Sequence, residues 1–160
     1  MVRSLGLILL VVVPIWFLAQ PPDSDEQELR EVDQSADRQA WSSTVPGAPL
    51  PEPPADWRPT VTQYDGQART VRFGWNTPER RYAEFAAAVA AEPALVEELT
   101  GAAEQDGTVD VDGVAWRRYV DDDGSVSLVR EVGEATVVVG TTRSSLPDDE
   151  LRALAASVSG

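Results

Sequence analysis

Three groups of residues in this chain have types and spacings that chemistry could use. The acidic turn Asp121-Asp122-Asp123-Gly124, with Asp110 and Asp112 close by in sequence, offers carboxylate oxygens of the kind that hold calcium. A structured calcium loop sets its ligands at alternating positions and closes with a bidentate Glu, and that pattern is missing, so a solvated hairpin turn is the expectation. Glu79, Glu84, Glu97 and Glu98 could supply the two carboxyls of a glycosidase. Such an enzyme needs one carboxyl in an apolar setting that raises its pKa, and glutamates on solvated helix faces do not provide it. Finally, Trp57, Trp75 and Trp116 fall on expected strands interleaved with Arg58, Arg72, Arg117 and Arg118, a mixture able to stack on a sugar or anchor a protein partner. Strand alternation puts Trp116 with Val114 on one face and Arg117 on the other, which predicts a packed Trp116.

What is missing narrows the chemistry further. The chain has no His and no Cys, and all thirteen of its basic residues are Arg. The common zinc sites, thiolate nucleophiles and Ser-His-Asp triads need imidazole or thiol groups, and no Lys is present to activate a hydroxyl. No residue is therefore assigned as catalytic, cofactor-binding or metal-ligating, and no cofactor is expected. Net charge is -14, and the chain beyond Arg3 carries 12 basic against 27 acidic residues, a net of -15. Such a surface repels nucleic acid and anionic lipid, so nucleic acid is not an expected partner. An all-Arg basic set beside abundant Ala and Val reads as the codon bias of a GC-rich genome.

The residues before this acidic portion address location. Leu5 to Ala19 is an uncharged run behind Arg3, followed by Gln20, two prolines, Asp23 and Asp25. At 1.5 Å per residue it covers roughly 23 Å as a helix, short of the ~30 Å hydrocarbon layer but usable with flanking residues and slight bilayer thinning. A cleaved signal peptide is the competing reading, and Phe17 at the minus-three position of a cut after Ala19 disfavours it. Residues 1–20 are read as a single-pass membrane anchor, with the N-terminus cytoplasmic and the C-terminal domain extracellular. The basic end is short enough that Met1 is read as an internal start of a longer natural protein.

Residues 21–56 read as a linker, acidic first and then rich in proline, with a short helix expected over residues 28–40 from Leu29, Val32 and Ala36. Pro46, Pro49, Pro51, Pro53 and Pro54 favour an extended polyproline spacer. Residues 57–160 read as one α+β domain. WRPTVTQY and TVRFGW form a hairpin across Asp65-Gly66. Thr77-Pro78-Glu79 opens a helix carrying Tyr82, Phe85 and Val89, closed by Glu92-Pro93. A second helix carries Leu95, Val96 and Leu99 and stops at Gly101. VAWRRYV, VSLVREV and ATVVVGTT follow as an antiparallel meander, and a last helix runs from about Pro147 to Ser157 with Leu151, Leu154, Ala155 and Val158 as its apolar stripe. The expected architecture is one antiparallel sheet of about five strands with helices packed on one face, behind an N-terminal transmembrane helix.

The order of MVRSL, Leu50-Pro51 before Trp57-Arg58, FGWNTPERRY, VDGVAWRRY, LVRE, VVVGT and DELRALAASV resembles an actinobacterial family of membrane-anchored proteins classed as a domain of unknown function. The resemblance covers nearly the whole chain and implies an uncharacterised extracytoplasmic domain with no catalytic residues to transfer. The function expected from these readings is a membrane-tethered, non-enzymatic interaction or accessory domain. Its expected partners are the membrane, through residues 5–19, and another cell-envelope protein or glycan. The alternative is a carboxylate-dependent hydrolase acting on envelope polymers.

Overall fold

The Asp65-Gly66 pair does lie between two strands, β1 (Arg58–Asp65) and β2 (Thr70–Asn76), which pair antiparallel from Asp65–Thr70 to Arg58–Asn76. The left-handed position is Arg69, with φ 52°, and not Gly66, because Asp65 Oδ1 accepts from the amides of Gln67 and Ala68 and opens a longer turn. The computed structural model describes residues 32–158 except 92 and 103, and these residues belong to one compact unit. The membrane-anchor reading of residues 1–20 lies outside them. Among the described residues no helix is long and apolar enough to cross a membrane.

The expected helix after Thr77 is instead a strand, β3 (Tyr82–Val89). Thr77-Pro78-Glu79 opens a tight turn in which the Arg80 amide donates to the Thr77 carbonyl and the Thr77 amide to that of Arg81. Proline fixes the same φ for a first helical position and for the second residue of a type I turn, so the motif alone does not choose between them. What chooses is the destination of YAEFAAAV. All six interior residues are buried, because β3 lies between β2 and the last strand with both faces covered. A strand of that kind shows no polar alternation, and alanine's helix preference yields to its surroundings. Glu92 lies outside the described residues, and Pro93 begins a helix rather than ending one.

The remaining elements are α1 (Ser35–Thr44), α2 (Pro93–Thr100), β4 (Gly107–Val111), β5 (Val114–Val120), β6 (Val126–Val132), β7 (Ala135–Val139) and α3 (Asp148–Ala156). The seven strands run β1-β2-β3-β7-β6-β5-β4 across the sheet, every pair antiparallel. Two meanders thus meet at β3 and β7. The expected five strands lacked β3 and β4. The polar, five-residue β4 is held by a two-residue turn at Asp112-Gly113, where φ is 51° and 83° as a type I′ hairpin requires.

Helices cover both faces of the sheet, which corrects the one-face expectation. On one face Phe73, Trp75, Phe85, Val137 and Val139 join Trp41 of α1 and Leu151 and Leu154 of α3 in the main core. On the other, Ala86, Val129 and Val138 pack with Leu99 of α2. The alternation in β3 and β7 sends neighbouring residues to opposite cores, so each needs its own helical cover.

The described part of the expected linker, residues 32–56, also packs on the sheet. Gln34 Nε2 donates to the carbonyls of Val61 at 2.7 Å and Gly74 at 3.3 Å. Trp41 is completely buried and its indole N–H donates to the Pro49 carbonyl, while Arg38 holds that of Pro51 at 2.7 Å. The polyproline stretch is therefore strapped down by α1. That helix spans Ser35 to Thr44 rather than residues 28–40, centred on Trp41 and not on Val32 and Ala36. Leu29, the third of its expected apolar positions, lies outside the described residues. Trp41→Ala should lower stability by about 3–5 kcal/mol in urea denaturation, as for a core aromatic; a tryptophan in a detached spacer would leave the midpoint unchanged.

Candidate functional site

The pairing of β3 with β7 ends at Phe85–Val139, yet β3 continues to Tyr82. A loop, residues 140–146, follows it there in place of a strand. The Gly140 amide donates to the Glu84 carbonyl and the Ser145 amide to the Tyr82 carbonyl, both at 2.9 Å. The amides of β3 are met by hydroxyls: Glu84 N–H donates to Ser144 Oγ at 3.2 Å and Tyr82 N–H to Ser145 Oγ at 3.0 Å. Gly140 makes this departure from the sheet possible. Its φ is 73°, and a Cβ there would meet the Val126 carbonyl oxygen at 2.9 Å.

Beside this loop sits Glu84, with a side chain only 1% exposed. Its Oε1 accepts from Arg72 Nε at 2.8 Å and its Oε2 from Thr141 Oγ1 at 2.7 Å. Desolvating a carboxylate is tolerable only with such partners, and with both oxygens engaged Glu84 acts as a fixed, paired charge. Tyr82 lies over Gly74, where a Cβ would fall 2.4 Å from the phenol oxygen. Burial, reinforced by the Glu84 charge and opposed by Arg72 and Arg143, pushes the Tyr82 phenol up to about 12.

The same loop lines a cleft of about 370 Å³. Ser144, Ser145 and Leu146 form one wall, Asp123 and Ser125 of the β5–β6 turn with Val126 of β6 another, and Asp148 and Leu151 of α3 complete it. A smaller hollow of about 190 Å³ lies beside α2, bounded by Val96, Glu97, Arg117, Tyr119 and Glu131 among others.

The acidic residues singled out by sequence are not gathered. Asp110 and Asp112 lie at the β4–β5 turn and Asp121 to Asp123 at the β5–β6 turn, at opposite ends of β5. Asp121 Oδ1 accepts from the amides of Asp123 and Ser125, and Asp110 Oδ1 from that of Gly113, so both act as turn locks. Among the described residues no three acidic groups are placed to hold a metal ion. Glu97 and Glu98 are exposed on α2, and Glu79 is exposed in the β2–β3 turn rather than on a helix. Glu84 departs from expectation most, being neither helical nor solvated.

The three tryptophans singled out by sequence are buried, Trp57 at 8%, Trp75 at 2% and Trp116 at 1% exposure. The guanidinium over Trp116 belongs to Arg130, 4.8 Å from the ring centre. Arg72 pairs with Glu84, Arg117 with Glu131 at 3.5 Å and Arg118 with Asp106. The buried tryptophans and the Arg72–Glu84 pair therefore brace the fold, while Arg58 is exposed on β1, and together they do not form a platform. Sequence reasoning passed over Thr141, Ser144 and Ser145. Their signal was the hydroxyl-rich GTTRSSLP that follows a valine strand.

Fold and site together define an antiparallel α+β domain with a buried, paired carboxylate and a hydroxyl-lined cleft. The chain belongs to the DUF4245 family, proteins of unknown function, whose model matches residues 1–158. No curated protein and no solved structure matches it.

Arg72→Ala should lower stability by about 3 kcal/mol, because it leaves the Glu84 carboxylate buried without its cation, and Thr141→Val by about 2 kcal/mol, both read by denaturation. Ultraviolet titration of the three tyrosines should show one ionising near pH 12, absent in Tyr82→Phe. The unfolded chain keeps the ordinary value of 10.0 and loses that proton first, so stability should fall as pH rises from about 10 to about 12.

Proposed function

We propose that this chain is a membrane-tethered, non-enzymatic extracytoplasmic domain that interacts with another cell-envelope component. The observation that carries the reading is the state of Glu84. The most deeply buried carboxylate among the described residues is committed on both oxygens to Arg72 and Thr141, a bracing role that leaves neither oxygen facing a substrate. The tether rests on sequence, in the uncharged run from Leu5 to Ala19 behind Arg3. In this reading the N-terminus stays in the cytoplasm and the acidic domain is displayed outside. The net charge of -14 supports a protein or glycan partner over a nucleic acid.

The alternative, a carboxylate-dependent hydrolase acting on envelope polymers, has one observation in its favour: Asp123 and Asp148 line the same cleft. Both are exposed, whereas a general acid needs an apolar setting. Glu150 does have its carboxyl pushed up by burial, with Arg81 opposing and Glu79, Asp149 and Asp56 adding to it, but it does not line the cleft.

Fractionated cells should hold the full chain in the membrane, with its C-terminal domain open to external protease, and removal of residues 1–20 should release it. Recovery of the full chain in the soluble fraction would contradict the tether. Purified protein should leave glycan, peptide and ester substrates unchanged, and turnover of any of them would move the reading to the hydrolase.

A further inference from the structure

We infer that the cleft between the loop of residues 140–146, the β5–β6 turn and α3 binds a neutral, hydroxyl-rich ligand, one ring of a carbohydrate. This deepens the interaction reading above and rests on it only for the assumption that nothing is cleaved. Ser144 Oγ already accepts two amide protons, from Glu84 at 3.2 Å and Thr141 at 3.1 Å, so both lone pairs are used and only its O–H remains to donate. That proton has no acceptor among the described residues, nor does that of Ser145, whose oxygen accepts from Tyr82. Ser125 also leaves its hydroxyl unengaged among them.

Opposite the hydroxyls stand acceptors. The Asp123 carboxylate makes no hydrogen bond among the described residues, and Asp148 gives one oxygen to Arg152 at 2.7 Å, leaving the other open. A ligand must therefore accept from serine and donate to aspartate. An ammonium group only donates and leaves Ser144 unmet, and an anion faces two carboxylates with no cation in the lining. Sugar hydroxyls do both at each oxygen. Val126, Leu146 and Leu151 add apolar contact for the C–H face of a ring, and a volume of about 370 Å³ is at the small end of ligand sites.

The test uses the full chain in lipid nanodiscs free of sugar detergent, with saturation-transfer NMR of methyl glucoside, methyl galactoside and methyl mannoside. At least one should show saturable transfer, weakened about tenfold by Asp123→Asn, the loss of one charge-assisted hydrogen bond. Ser125→Ala, which removes a hydroxyl with no partner among the described residues, should weaken it similarly with its circular dichroism unchanged, and Glu98→Gln on the exposed face of α2 should bind as wild type. No saturable transfer from any of the three, equal binding by Asp123→Asn, or displacement by putrescine at equal concentration would overturn the assignment. Release of methanol would leave the ligand class standing and remove the non-enzymatic reading, whereas absence of binding would remove the ligand class alone.

Discussion

The pairing of β3 with β7 holds this structure together. Each meander has only one helical cover or two, and neither encloses a core by itself; joined at Phe85–Val139 and Ala86–Val138, they make one sheet with a core on each side. Because alternation is strict, the seam feeds both cores at once. Phe85 stacks on Phe73 with ring centres 6.1 Å apart, under α1 and α3, and Ala86 meets Leu99 of α2 on the reverse. The small side chains of β3 are part of this arrangement. Ala86 leaves room for α2 to approach the sheet, where a larger residue would hold it away.

The functional geometry arises where that seam runs out. β7 stops at Val139 while β3 extends to Tyr82, so its exposed amides need acceptors and Ser144 and Ser145 provide them. The hydroxyls that finish the sheet are also the ones that face the cleft. Thr141, from the same loop, reaches back to Glu84, whose charge Arg72 balances from β2. Sheet completion, the buried ion pair and the cleft wall are thus three results of one short loop.

Much of the fold was legible in local patterns. The hairpin across Asp65-Gly66 could be read, as could Gly101 as a helix stop and Leu151, Leu154 and Ala155 as a docking stripe, because each signal is set by backbone conformation or one-sided burial. β3 was misread because burial on both faces erases alternation and leaves alanine's helical preference as the local signal. Trp41 was missed because it lies between an acidic stretch and the prolines from Pro46 onward, all of which look like spacer, though its indole binds the Pro49 carbonyl. Glu84 could not be recognised at all from sequence. Its partners Arg72 and Thr141 are brought to it by sheet register and a loop, and no local spacing encodes either.

Backbone hydrogen exchange along residues 82–89 tests the central strand most directly. If β3 joins both meanders, the amides from Phe85 to Ala88 should be among the slowest to exchange in the protein, opening only with global unfolding. Rapid exchange across this segment, with the flanking strands still protected, would contradict the shared seam.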